Sequence, residues 1–159
     1  SSITKWVPGA YFDKTDSHPY DDAISRTRRA MEDGTLSCIL WHQGESDGNP
    51  KVAPVYKDNL IELVQRFRKE LDANEVPFII GQLGKFKEKP WKDNRHLVNE
   101  AHIAAAGELS YAGFVSSYAL RSKADNTHFN TSSLHEFGRR YARRYLQVVE
   151  EGQKPAVIH

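Results

Sequence analysis

The chain has 159 residues, with 22 Lys and Arg against 21 Asp and Glu, a formal charge of +1 with histidine neutral. That balance argues against nucleic acid as a partner, because a phosphate-tracking surface needs a clear basic excess. A hydrophobic share of 39% with 11% aromatic residues excludes a disordered chain, and the absence of an apolar run of roughly 20 residues argues against a membrane-spanning segment.

Residues 1–20, SSITKWVPGAYFDKTDSHPY, are dense in turn formers and read as loop. Asp21 or Asp22 then caps a helix over DAISRTRRAMEDG that stops at Gly34, with Arg26, Arg28 and Arg29 on its solvated side. SCILW, residues 37–41, is a short buried strand. It holds the single cysteine, Cys38, so an internal disulfide and a multi-cysteine metal centre are both excluded. The polar stretch HQGESDGNP follows at once, and the end of a strand is where open α/β sheets place their chemistry.

Residues 53–74 carry Leu60, Leu63, Val64, Phe67 and Leu71 at helical spacing. VPFIIGQ, residues 76–82, is the second strand, and Gly81 marks a turn or a close backbone approach. A helix is expected from Asn94 to about Leu109, a third strand over 111–117, and a last helix from Leu134 to Val149 capped by Thr131, Ser132 or Ser133. Alternating helices and strands imply an α/β fold of parallel strands joined by right-handed crossovers. Three strands make a small sheet.

Two stretches carry candidate chemistry. In DNTH, Asp125 and His128 can lie together on a tight loop, the histidine as general base and the aspartate holding its tautomer. The same residues also fit a turn cap beside a surface histidine. In WHQGESDG, Gln43 can aim its amide at an oxyanion and Glu45 can orient an imidazole or loop amides, with His42 and Asp47 alongside. A structural loop role is the alternative. GESDG fits the G-x-S-x-G spacing, but Gly48, Asn49 and Pro50 oppose the helix that a nucleophile elbow requires, which weighs against Ser46. A metal set would have to gather Asp47, Asp125, His128 and His42 or His135 without any H-E-x-x-H pair. Trp6, Tyr11, Phe12, Phe86 and Trp91 fall in loops, where they can line a flat ligand or anchor the loop.

These segments also carry a resemblance. SSITKW, DAISRTRRAMEDG, ILWHQGESD, FIIGQLG and DNTHFNTSSLHEFGRRYARRYL occur in the order seen in carbohydrate esterase family 6 and the sialate O-acetylesterase-like proteins of the SGNH hydrolase superfamily. The resemblance implies a three-layer α/β/α flavodoxin-like SGNH hydrolase fold over residues 1–150, with 151–159 as a tail. It implies His128 as general base, Asp125 as its orienting acid, and Gln43, His42 and Glu45 in the oxyanion or substrate-binding block.

Family members begin with a strand leading to G-Q-S-N, whose serine is the nucleophile, and no such motif occurs here. The chain accordingly looks like the carboxy-terminal part of such an enzyme, its first strands and nucleophile supplied by a missing amino-terminal segment or a separate chain, on which activity depends. The implied reaction is hydrolysis of an O-acetylated carbohydrate, as in acetylxylan or sialate O-acetylesterases, with neither metal nor organic cofactor. A noncatalytic carbohydrate-binding or structural protein on the same fold is the alternative reading.

Overall fold

The computed structural model describes residues 1–152. Three parallel strands, β1 (Ile39–Trp41), β2 (Phe78–Gly81) and β3 (Ala112–Val115), form one sheet in the order β1-β2-β3. Their register pairs Ile39 with Phe78 and Phe78 with Ala112. Four helices alternate with them: α1 (Pro19–Ala30), α2 (Tyr56–Leu71), α3 (Asp93–Glu108) and α4 (Thr131–Glu151). Of the expected tail, Glu151 and Gly152 finish α4, and 153–159 lie outside the described residues.

Central strand β2 is buried throughout, and its side chains alternate between two apolar clusters. Phe78 and Ile80 join Ile24 of α1, Leu60, Leu63, Val64 and Phe67 of α2, and Val98 and Ala105 of α3. Ile79 joins Val115 and the α4 residues Phe137, Tyr141 and Val148. Helices α1, α2 and α3 therefore cover one face and α4 the other. Leu60, Leu63 and Val64 are fully buried, and each contributes about 1.5–3 kcal/mol by leaving water.

Helix starts differ from the expected caps for local reasons. Proline at the first helical position carries α1 back to Pro19. Asp21 instead accepts the Gly9 amide at 2.8 Å, and Asp22 reaches back to the His18 amide at 3.2 Å. On α4 the cap is Asn130, one residue ahead of the expected candidates, its Oδ1 accepting the Ser133 amide at 2.9 Å. Ser133 is occupied elsewhere, accepting the Arg121 amide at 2.8 Å.

At Gly81 the close approach is real. A Cβ there would stand 1.8 Å from the Tyr141 hydroxyl, and that hydroxyl donates to the Trp41 carbonyl at 3.1 Å. The end of β1 is thereby tied to α4 across β2.

The expectation that strands must be added from a missing segment or another chain is corrected by this arrangement. The three strands, the four helices and the loops between them, Ile3 and Phe129 included, build both apolar clusters. Along β1, Trp41 is buried under the Trp6 ring, 4.9 Å away, and Ile39 is half-buried, so Leu40 alone in that strand is open, at 59% exposure.

Candidate active site

Loops leaving the C-terminal ends of all three strands meet on one side of the sheet. The β1 loop begins at His42, whose Nε2 lies 3.3 Å from the Gln82 carbonyl and whose ring contacts Phe129 and Phe137 at 5.7 and 5.6 Å. Phe129 directly follows His128, so this contact joins the HQGESD stretch to the DNTH stretch. Gln82, just past β2, completes the junction. Its Oε1 accepts the Ser117 amide at 2.8 Å, and its Nε2 donates to Asn99 of α3 at 2.9 Å.

Asp125 divides its two oxygens between two tasks. Oδ1 accepts the backbone amides of Thr127 and His128 at 2.8 and 2.9 Å, closing the turn. Oδ2 lies 2.8 Å from His128 Nδ1. One side chain therefore both closes the turn and contacts the imidazole. The His128 backbone amide first, then its ring and the Thr127 amide, hold the Asp125 carboxyl well below the usual carboxylate range. An ionised Asp125 needs a donor at Nδ1, which leaves the lone pair of neutral His128 on Nε2. Among the described residues Nε2 has no hydrogen-bond partner, and the His128 side chain is 74% exposed. The pair sits at the surface, where it adds little to stability and leaves His128 Nε2 accessible.

Gln43 and Asp47 form a second, buried constellation. Gln43 Oε1 accepts the Tyr56 hydroxyl at 2.8 Å, while Nε2 donates to the Ser1 carbonyl at 2.8 Å and to Asp47 Oδ2. Asp47, fully buried, also accepts the Ser2 hydroxyl at 2.5 Å and the Ile3 amide at 3.1 Å. Tyr56 is held in turn by His102, whose Nε2 is 3.0 Å from its hydroxyl. Burial lowers His102 to about 3, helped by the neighbouring His42, and burial raises Tyr56. Gly44 makes this packing possible. At its φ of 135° a Cβ would press within 2.9 Å of Val98.

Other sequence candidates fall elsewhere. Glu45 and Ser46 are exposed on a 3-10 turn, Glu45–Asp47, with no α-helix behind the serine until Tyr56, and among the described residues Glu45 has no hydrogen-bond partner. Among the described residues no three His, Cys, Asp or Glu side chains converge as metal ligands, since Asp47 is enclosed by Ser2, Ile3 and Gln43. Trp6 and Phe86 anchor loops, on Trp41 and on Phe129 respectively. Trp91 is half-buried, donating to the Gly84 carbonyl at 2.8 Å beneath the Lys85 ammonium. Arg28 pairs with Glu70 at 2.6 Å, as a surface role requires. Tyr56, Gln82 and His102 were not singled out by sequence. A glutamine next to a buried strand ending in glycine was the one available signal among them.

A family model described as a carbohydrate esterase, sialic acid-specific acetylesterase, matches residues 1–147. The chain is 28% identical over 151 residues to an Arabidopsis thaliana protein described as "Probable carbohydrate esterase", covering 92% of this chain and 52% of that protein. The crystal structure of an Arabidopsis thaliana protein superposes with a TM-score of 0.79 at 27% identity, over 92% of this chain and 57% of the other. A carbohydrate acetylesterase from Xanthomonas citri shares the fold, with a TM-score of 0.63 at 21% identity over 73% of this chain and 26% of that one.

The chain thus spans about half the length of the curated relative it matches. The family match spans residues 1–147, almost the whole chain, and this corrects the expectation of similarity to a carboxy-terminal part alone. Corrected with it are the separate amino-terminal chain as partner, the nucleophile placed outside this chain and the activity made conditional on it.

Proposed function

As the chain belongs to the carbohydrate esterase, sialic acid-specific acetylesterase family, we propose that it hydrolyses O-acetyl esters of carbohydrates with His128 as general base and Asp125 as its orienting acid. The observation that carries this reading is the 2.8 Å contact between Asp125 Oδ2 and His128 Nδ1, with Nε2 left open.

The attacking hydroxyl oxygen bonds to the acetyl carbon as its proton passes to His128 Nε2. The Asp125 carboxylate holds the ring and stabilises the imidazolium that forms. As the tetrahedral intermediate collapses, the bond to the sugar oxygen breaks and His128 returns the proton to that oxygen. The acetyl group stays on the attacking oxygen as an acyl-enzyme; water then attacks its carbonyl carbon as His128 takes the water's proton, and collapse breaks the bond to the enzyme oxygen, which regains that proton as acetate leaves. Gln43 serves as an oxyanion donor when the carbonyl oxygen takes the place of the Ser1 carbonyl at Nε2. His42 aligns the two loops through Phe129, and the exposed Glu45 stands at the rim for contact with the sugar.

Acetate release from O-acetylated sialic acid and from acetylated xylo-oligosaccharides, alongside 4-nitrophenyl acetate hydrolysis, tests the reading and its substrate. Replacing His128 with Ala is expected to lower kcat by at least about 100-fold, the usual contribution of a positioned base. Peptide mapping after labelling with a fluorophosphonate identifies the attacking hydroxyl. Undiminished hydrolysis in His128→Ala would remove the proposed base, and sugar binding without acetate release would favour a noncatalytic carbohydrate-binding protein.

A further inference from the structure

The polar groups behind the β1 loop are linked in one direction. A tyrosine hydroxyl has one hydrogen, and the shorter of its two contacts with Gln43 is to Oε1, at 2.8 Å against 3.1 Å to the backbone carbonyl. With that hydrogen committed, His102 must donate from Nε2 to the Tyr56 oxygen, which the neutral imidazole does as its Nε2–H tautomer. The Trp41 indole is a second, longer donor at 3.5 Å. Gln43 receives on one side and gives on the other, so its amide has a single satisfied orientation. Flipped, it would set Oε1 against the Asp47 carboxylate and its NH2 group against the Tyr56 hydroxyl.

We propose that Tyr56 is a positioning residue of the site, its hydroxyl held by His102 so that the Gln43 amide points at Asp47 and the Ser1 carbonyl, which in turn pins the Ser1–Ile3 segment beside the β1 loop. The catalytic half of this proposal rests on the esterase reading above; the pinning half does not. Tyr56 is fully buried at the start of α2, and the residues it sets in order are the first three of the chain, more than fifty positions away. Its donation to Oε1 also polarises the amide, which sharpens Nε2 as a donor. Without the hydroxyl, Gln43 Oε1 and His102 Nε2 lose their partner and the amide is free to turn. Asp47 then loses its Gln43 contact, and its hold on the Ile3 amide loosens.

Two readouts on Tyr56→Phe test the two halves. The first is hydrogen exchange of the Ile3 amide, divided by that of Ile80 in the central strand, with urea added to the wild type so that both proteins have the same global stability. The ratio is expected to rise at least tenfold. The second is kcat on 4-nitrophenyl acetate, expected to fall at least tenfold with KM within twofold, because no group that binds the substrate is removed. His102→Gln keeps a donor toward the hydroxyl and should stay near wild type in both readouts, while His102→Leu should move with Tyr56→Phe. That second pair decides the matter if Tyr56→Phe does not fold.

An unchanged Ile3/Ile80 ratio overturns the proposal. A raised ratio with unchanged kcat overturns its catalytic half. A wild-type protein that releases no acetate from any ester refutes the esterase reading instead, and the exchange ratio still decides the pinning.

Discussion

His102 makes the stability of the fold depend on pH. Burial holds it neutral in the folded protein, lowered from the usual 6.5 to about 3, whereas the unfolded chain protonates it near 6.5. The depressed group contributes its full stability above the unfolded value, and that contribution is lost as pH falls from about 6.5 toward about 3. Between about pH 7.5 and pH 5 the loss is about 2 kcal/mol, from about 1.4 kcal/mol for each unit below 6.5. The figure hardly depends on where below about 4 the folded value lies, because at pH 5 the folded histidine is neutral in every such case. Urea unfolding followed by tryptophan fluorescence would read it as a fall of about 1 M in midpoint, for a slope of about 2 kcal/mol per M. His102→Gln, which cannot titrate, supplies the reference and cancels the other histidines. The two stability curves should converge by about 2 kcal/mol on acidification. Parallel curves over this range would mean that His102 protonates as readily folded as unfolded, and the buried neutral imidazole bonded to Tyr56 would be wrong.

Two substitutions probe the frame around the site. Gly81→Ala drives a methyl group into the Tyr141 hydroxyl and should cost about 1–3 kcal/mol, partly recovered by adding Tyr141→Phe; a thermal midpoint equal to wild type would contradict the close approach. Asp47→Ala strips the acceptor from the Ser2 hydroxyl, the Ile3 amide and the Gln43 amide. A loss of about 1–3 kcal/mol for each buried donor left unpaired should accompany a red shift of Trp6 emission as its contact with Trp41 loosens, and unchanged emission with unchanged stability would count against the pinned segment.

The helix α2 was legible because Leu60, Leu63, Val64, Phe67 and Leu71 repeat at helical spacing over twelve positions, a pattern that no strand can bury. The three strands were legible as short apolar runs, although each proved shorter than its run by two or three residues, since pairing stops where the loops diverge. The Asp125–His128 contact was accessible from spacing alone because both ends lie on one turn. Tyr56 and His102 were not, because they stand 13 and 59 residues from Gln43 and meet it through tertiary packing. The amide of Gln43 shows the same limit: sequence suggests a donor, while the structure supplies the two acceptors that already hold it. The missing-strand expectation went wrong where an apolar run was equated with an apolar edge. Trp6 and Tyr141 cover the end of β1 from distant parts of the chain.

The division of labour within Asp125 bears on how such sites are lost. One oxygen serves the turn and the other the imidazole, so a lineage that abandons the proposed catalysis keeps a reason to retain the aspartate: without it, two backbone amides lose their acceptor. The ring at position 128 has no comparable tenure, since its side chain bonds to nothing but Asp125 among the described residues. Decay would then begin at the histidine, and an aspartate surviving alone at the head of this turn would record the ancestry of the loop, not the persistence of its chemistry.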